Sequence, residues 1–404
     1  MLKNNLSKND VLLCGLAFTS RTETLEEYLK DKVRSLTVVA ISSCFLKENL
    51  SYCRVYENGI LADKFKIPNL RIKDYKWYRQ PLILLVFIIN WLSIALVVLK
   101  LKKRFDLCIG ISHSFTFMGV IFKKFRIVRK LLYYCIDYYI PQDKINFNSL
   151  FVRMINFIER FIVKNSDYVW DISPNIAEYR AKVGGVKKFS YKNMIVPLGY
   201  ASHLKRFESI ENINRWDIGF VGTITVSQGL QLLIESLPDI VKEFPLVRVK
   251  IIGDGPFLKE LKANVHQRGL KDYFNFLGFI KEEKKMLDIL SKCAIGVALW
   301  NHSIDDKNII CADPGKTKLY ALCGLPMIVT KVASIADEVK RRKAGLVIEY
   351  DLKALIEAFD YLLKSDETLR LYRENAASLG RKYTSEHIFD CAFKEAFNIF
   401  NILE

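Results

Sequence analysis

The chain lacks the short signatures that would fix its class at once. None of its nine cysteines belongs to a Cys-x-x-Cys pair, and no His/Cys group has metal-ligand spacing. The cysteines sit singly in apolar runs such as "VLLCGLAF" and "FDLCIGIS", as small buried hydrophobes in a reducing compartment do. No metal is therefore expected. No solenoid-period repeat and no low-complexity tract occurs, which excludes repeat arrays and long disordered segments. The N-terminal "MLKNNLSKNDVLLCG" has only a short apolar run. It reads as a first strand rather than a cleavable signal peptide.

What is there is a 404-residue chain, half of it hydrophobic. Two domains of about 200 residues are expected. The boundaries predicted are 1–198 and 199–380, with a closing amphipathic helix in 381–404. The net charge of +17 is unevenly spread. Residues 1–200 hold 32 Lys/Arg against 16 Asp/Glu, and residues 201–404 hold 29 against 28. An anionic partner for the first half follows, either nucleic acid or an anionic membrane surface. No nucleic-acid module is recognisable, so no nucleic-acid partner is expected.

One long apolar run, Leu82 to Leu99, is broken only by Asn90 and Ser93. As a helix it is about 27 Å long, slightly short of a ~30 Å bilayer core. It reads best as a helix in the membrane interface, with Lys100, Lys102, Lys103 and Arg104 drawn to anionic headgroups. A buried core helix and a spanning helix are the other readings. The basic run Lys123 to Lys130 adds to such a surface.

"CADPGKTKLYALCGLP", residues 311–326, contains the Gly-Lys-Thr that ends a P-loop. A P-loop needs a glycine five residues earlier, so that backbone N–H groups can wrap a phosphate. Ile310 stands there instead. The surrounding rhythm gives a different reason for the lysines. From "WDIGFVG" to "DLKALIEAFDYLLKS" the second half alternates apolar strands with amphipathic helices, which predicts a parallel sheet covered on both faces. Ligands of such sheets sit at strand C-termini, near helix N-termini. Four junctions have that form: "FVGTITVSQGL", "IIGDGP", "FLGFI" and "CADPGKTKLY". Each is expected to offer N–H groups and a partial positive charge to a diphosphate. The candidates there are Gly222, Thr223, Gly253, Asp254, Gly255, Asp313, Gly315, Lys316 and Lys318. The alternative is that the glycines are tight turns and the lysines face solvent.

The ordered stretches "FVGT", "QGLQLLIESLP", "VKIIGDGP", "FNFLGFI", "GVALW" and "CGLPMIVT" resemble the second half of the retaining glycosyltransferases of family 4. The likeness covers residues 215–390 and, more weakly, 10–200 through "DLCIGISHS" and "YYCIDYY". It implies an α/β fold of GT-B type: two Rossmann-like doubly wound domains facing across a cleft, with the last helix crossing back to the first. It also implies a nucleoside diphosphate-sugar donor on the second domain, a saccharide or lipid-linked acceptor on the first, and no cofactor beyond that donor. Two departures stand out. Thr223 and Gln228 replace residues that are basic in the family, and Cys311 and Leu319 replace its glutamate pair. Lys316 and Lys318 are the expected substitutes against the diphosphate, with Asp313 as a cap or hydroxyl partner. In the first domain His113 and Asp137 follow strands and are the expected catalytic groups beside Lys316. Gly15 opens a loop, Gly15 to Thr19, expected to approach the diphosphate.

The function expected is sugar transfer with retention of configuration, in cell-surface polysaccharide or glycoconjugate synthesis. It would be carried out in the cytoplasm, at the inner face of the cell membrane. A nucleotide-sugar 2-epimerase and a non-catalytic scaffold of the same fold are the rival readings.

Overall fold

The computed structural model describes residues 6–17, 20–43, 49–69, 80–141, 146–187, 190–301, 308–331 and 335–401. The stretch "LWNHSIDDKN", residues 299–308, lies mostly outside these. The chain forms two compact units: residues 1–200 with 385–404, and residues 201–384.

The first unit is built on an eight-stranded sheet ordered β4-β3-β2-β1-β5-β6-β7-β8. Its strands are β1 (Asp10–Leu16), β2 (Ser35–Ile41), β3 (Tyr52–Glu57), β4 (Ile60–Lys66), β5 (Phe105–Ile111), β6 (Val128–Cys135), β7 (Tyr168–Asp171) and β8 (Asn193–Ile195). The central strands are continuous apolar runs, as strands buried on both faces must be. The edge hairpin β3–β4 is antiparallel and differs in kind. Asn58 and Gly59 both take positive φ, the Asn-Gly turn that matches strand twist. Strand β4 is exposed along nearly its whole length and carries Asp63, Lys64 and Lys66, which guard a free edge.

Helices α1 (Ser20–Lys30), α2 (Gln80–Lys100), α3 (His113–Lys124), α4 (Phe147–Asn165) and α5 (Pro174–Val183) complete the first unit's N-terminal part. Helix α2 contains the long apolar run and is two-faced. Val86, Ile94, Val97 and Val98 are buried, whereas Leu85, Ile88, Leu92, Leu96 and Leu99 are all at least 46% exposed. No helix among the described residues is long and apolar enough to cross a membrane.

The second unit is a six-stranded parallel sheet ordered β11-β10-β9-β12-β13-β14. These strands are β9 (Asp217–Val221), β10 (Arg248–Ile252), β11 (Phe274–Gly278), β12 (Ile295–Ala298), β13 (Met327–Thr330) and β14 (Gly345–Ile348). Counted within the unit, the order is 3-2-1-4-5-6, the doubly wound order of dinucleotide-binding folds. Its helices are α6 (Leu230–Glu243), α7 (Leu258–Gln267), α8 (Glu283–Ser291), α9 (Asn308–Cys311), α10 (Gly315–Leu322), α11 (Ala336–Arg341), α12 (Leu352–Leu363) and α13 (Asp366–Lys382). Ile218, Phe220, Leu233, Val249, Val297 and Phe359 form part of one buried core. The strand order reverses between β9 and β12, so a crevice opens beyond their C-terminal ends.

The last helix, α14 (Ser385–Asn401), belongs to the first unit. Phe393 stacks on Tyr28 at 5.7 Å and meets Trp170 edge-on at 5.0 Å. Tyr168 donates to Glu395 at 2.7 Å.

Candidate functional site

The crevice of the second unit is shaped by one tyrosine. Strands β9 and β12 pair only through Ile218 and Gly219 on the one side and Ile295 and Gly296 on the other. Beyond that point Tyr320 of α10 bridges them. Its hydroxyl accepts from the Val221 N–H at 3.2 Å and donates to the Val297 carbonyl at 2.9 Å. A side chain on Gly296 would strike the Tyr320 ring at 2.8 Å, so glycine is needed there. Tyr320 thus pins α10 into the switch point. Lys316, one turn earlier on the same helix face, is carried to the mouth of the crevice.

There the Lys316 ammonium donates to the Gln228 side-chain carbonyl. It lies 4.1 Å above the Phe220 ring and 5.4 Å from that of Trp300. Gly222, at φ +141°, takes a backbone that favours glycine, and a Cβ there would make ordinary contact with the Lys316 Cε and Nζ at 3.4 Å. Among the described residues no carboxylate pairs with it. Desolvation alone pushes its pKa down, to about 7. Its helix starts at Gly315, after Pro314, with no side-chain cap on the first N–H groups. A half-buried, desolvated cation with no carboxylate partner among the described residues, beside open helix N–H groups, suits an anion.

The other residues expected at this site have different places. Lys318 is fully buried and its ammonium is held by the Asp313 carboxylate and faces the Tyr383 ring at 4.9 Å. It meets neither expectation, diphosphate nor solvent, because Asp313 neutralises it inside the protein. The glycines at the strand ends are packing devices. A Cβ on Gly253 would fall 1.9 Å from the Gly222 carbonyl oxygen, and one on Gly255 would fall 2.3 Å from that of Ile224. Their N–H groups are engaged: Gly222 donates to Ile252, Gly253 to Gly278, and Gly255 to the Asp254 carboxylate. They keep the mouth open rather than donate into it. Thr223 and Asp254 are exposed there. Sequence reasoning missed Gln228 as a partner, and also Phe220, Trp300 and Tyr320, whose signal was an aromatic at each strand end or helix face.

In the first unit Gly15 differs from its expectation. It lies inside β1, paired with Ala40 of β2, and is buried. A Cβ there would strike the Thr22 hydroxyl of α1 at 2.5 Å. Its glycine serves helix-on-sheet packing, and no loop begins until Ala17. Phe18 and Thr19 lie outside the described residues. His113 opens α3 directly after Ser112, which is held at φ +71° and ψ 157°, a conformation rare outside glycine. The ring is buried and stands edge-on to Phe87 and Tyr139, each at 6.2 Å. Burial lowers its pKa to about 4, so it is neutral at pH 7. Asp137 follows β6. Its surface is open, yet crowding raises its carboxyl above the usual value, by desolvation first, partly offset by Arg21. His113 and Asp137 line one cavity of about 410 Å³. Ser112 is the residue overlooked here.

The basic residues after α2 divide in two. Lys100, Lys102 and Arg104 are exposed, whereas Lys103 donates to Ser35 at 2.6 Å and pairs with Asp10 at 3.5 Å. Arg104 also lines a second cavity, at the N-terminal edge of the sheet, together with Arg34, Lys123, Arg126 and Arg129 and two aspartates.

Comparison with known proteins agrees with this architecture. Anabaena HepE, solved in complex with UDP, matches with a TM-score of 0.65 at 14% identity, over 96% of this chain and 100% of that one. Sucrose-phosphate synthase from Thermosynechococcus elongatus matches at 0.70 and 13%, over 98% and 100%. WaaG, a glycosyltransferase involved in lipopolysaccharide biosynthesis, matches at 0.62 and 13%, over 95% and 98%. No curated protein matches in sequence. The fold is thus that of the GT-B proteins. Residues 215–365 match the family described as Glycosyl transferases group 1.

Proposed function

We propose that the protein transfers a sugar from a nucleoside diphosphate-sugar to a hydroxyl of an acceptor at a membrane surface, with retention of configuration. The observation that carries this is Lys316: an ammonium at the switch point, desolvated, lacking a carboxylate, and set at the start of an uncapped helix. The family resemblance places basic residues at 223 and 228. Here Thr223 and Gln228 stand there, and the ammonium of Lys316 reaches the Gln228 carbonyl from helix α10. The charge is retained and its source has moved. HepE, of the same fold, is solved with UDP and with UDP-glucose, which supports a nucleotide-sugar donor.

In the transfer the bond between the anomeric carbon and the diphosphate oxygen breaks, and the bond to the acceptor oxygen forms on the same face. A diphosphate oxygen takes the acceptor proton. Lys316 and the α10 N-terminus stabilise the charge growing on the leaving diphosphate. Asp313 is occupied by Lys318 and is no nucleophile. No metal enters this scheme.

Membrane contact is supported by the apolar stripe of α2 and the exposed Lys100, Lys102 and Arg104 beyond it. A role in surface polysaccharide or glycoconjugate synthesis at the inner face of the membrane fits both, and WaaG has a related role. The test is a thermal-shift titration with UDP and UDP-glucose. Stabilisation of about 2.7 kcal/mol is expected at a hundredfold excess over Kd. No shift at millimolar nucleotide would leave a scaffold without a donor site.

A further inference from the structure

The donor reading makes no use of the cavity in the first unit. Its walls are mostly apolar: Val86 and Phe87 from α2, Ile111 from β5, and Phe151, Val152 and Ile155 from α4. Its volume of about 410 Å³ is that of a small-molecule site. Two buried polar atoms among its lining residues have no partner, His113 Nε2 and Asn90 Oδ1. His113 is only 7% exposed. The strained Ser112 backbone and the flanking Phe87 and Tyr139 rings hold it in place. A buried, unpaired and strained group is costly to keep without a ligand.

The hydrogen inventory says what fits. The Ser112 hydroxyl lies 3.4 Å from His113 Nδ1. With that hydroxyl donating, the neutral ring carries its proton on Nε2, a donor. Asn90 Oδ1 is an acceptor only. A hydroxyl has the complementary inventory, able to accept from Nε2–H and to donate to Oδ1. Ser42, Ser43, Asp137 and Asn148 also border the cavity, but apolar surface predominates, which suits a ligand with one hydroxyl and a long apolar body better than a sugar. An anion finds no Lys or Arg among the described lining residues.

We propose that this cavity binds a lipid alcohol, its apolar body against Phe87 and the α4 side chains and its hydroxyl between His113 and Asn90. This deepens the transferase reading and rests on it for the role of acceptor: the acceptor hydroxyl belongs to a lipid rather than to a sugar. Helix α2 then serves both ends of the task. One face carries the exposed leucines and the other walls the cavity.

The experiment is calorimetric titration of the full chain with 1-decanol and with 1-methoxydecane, which keeps the oxygen but cannot donate. Decanol is expected to bind about five- to tenfold tighter. Asn90→Leu should erase that preference, and Val152→Trp, which fills the cavity, should abolish binding of both. Equal affinity in the unmodified protein, or a preference that survives Asn90→Leu, overturns the proposal. Should Asn90→Leu not fold, the His113 Nε2 nitrogen resonance of the unmodified protein decides: it must move on adding decanol, and a fixed resonance overturns the assignment. UDP binding to Asn90→Leu is expected to be unchanged. Loss of UDP binding by the unmodified protein would remove the donor reading while leaving the decanol result standing.

Discussion

The two units are both built on parallel central strands, the first with an added antiparallel edge, and each sets a desolvated base near its switch point. In the first unit it is His113, lowered to about 4; in the second it is Lys316, lowered to about 7. Desolvation is the cause in both, and among the described residues neither base has a carboxylate to offset it. The outcomes differ because the starting values differ. His113 is neutral at any physiological pH and faces apolar walls, so its natural partner is a neutral hydroxyl. Lys316 stands at the edge of losing its charge, so an arriving anion restores it. One fold therefore offers a neutral base in one unit and a charge-responsive one in the other.

The largest effect that can break this comparison comes from Lys316. Lys316→Ala should lower turnover by about a hundred- to a thousandfold, the range for removing one preorganised group that stabilises leaving-group charge. Nucleotide affinity should fall with it, measured by calorimetry with UDP-glucose. Intact turnover and affinity would place the diphosphate elsewhere. Lys318→Met is the contrasting variant. It removes the lysine that neutralises the buried Asp313 carboxylate, 6% exposed, and should cost about 3 kcal/mol of stability in a denaturant titration. The affinity of the folded fraction should change by less than about threefold, as for a residue that does not touch the ligand. A loss of affinity matching that of Lys316→Ala would make the two lysines one site.

These two lysines also show how far the sequence could be read. Lys316 was legible because a basic residue at a strand-to-helix junction has a local meaning. Lys318, two residues on, was not, because its fate is set by Asp313 on the loop before the helix and by Tyr383 at the end of α13. The inner strands were legible for a similar local reason: burial on both faces makes β1, β2, β5 and β9 plain apolar runs. The β3–β4 hairpin was not, since exposed β4 has no apolar pattern, though Asn58-Gly59 marked its turn. Gly15 read as a loop because glycine usually ends strands; its reason, the Thr22 hydroxyl of α1, is a tertiary contact. Asn90 read as a mere interruption of an apolar run. Only the packing of α2 shows that Asn90 lines a cavity.

A smaller effect sharpens the comparison through pH. With its free pKa near 7 and a higher one when an anion is bound, Lys316 takes up a proton on binding. Affinity for UDP-glucose, whose diphosphate does not titrate in this range, should be flat below pH 7 and fall about tenfold per pH unit above it. Gln228, Phe220 and Trp300 pack against the ammonium and none of them titrates. The empty protein should behave in the opposite sense. The unfolded chain binds the Lys316 proton up to about pH 10.5 and the folded chain only up to about 7, so stability from this group rises with pH across that window. Lys316→Met should remove both slopes. An affinity profile level from pH 7 to 9 would mean that Lys316 is already fully charged before the donor arrives.

The smallest effect concerns the basic end of α2, where the structure separates four neighbouring cations. Lys100, Lys102 and Arg104 are exposed, while Lys103 is tied to Ser35 and Asp10. A cation free to approach an anionic bilayer contributes about 1 kcal/mol, roughly a factor of five in binding. Glutamine at 100, 102 or 104 should each weaken binding to phosphatidylserine-containing vesicles about fivefold, and Lys103→Gln should change it by less than about twofold. Salt should weaken all of these alike, whereas Leu92→Gln and Leu96→Gln should weaken binding to neutral vesicles as well, since they thin the apolar stripe. A triple variant at 100, 102 and 104 that binds as well as the unmodified chain would detach the charge of the first unit from any membrane. The exposed leucines of α2 would then need a partner other than lipid.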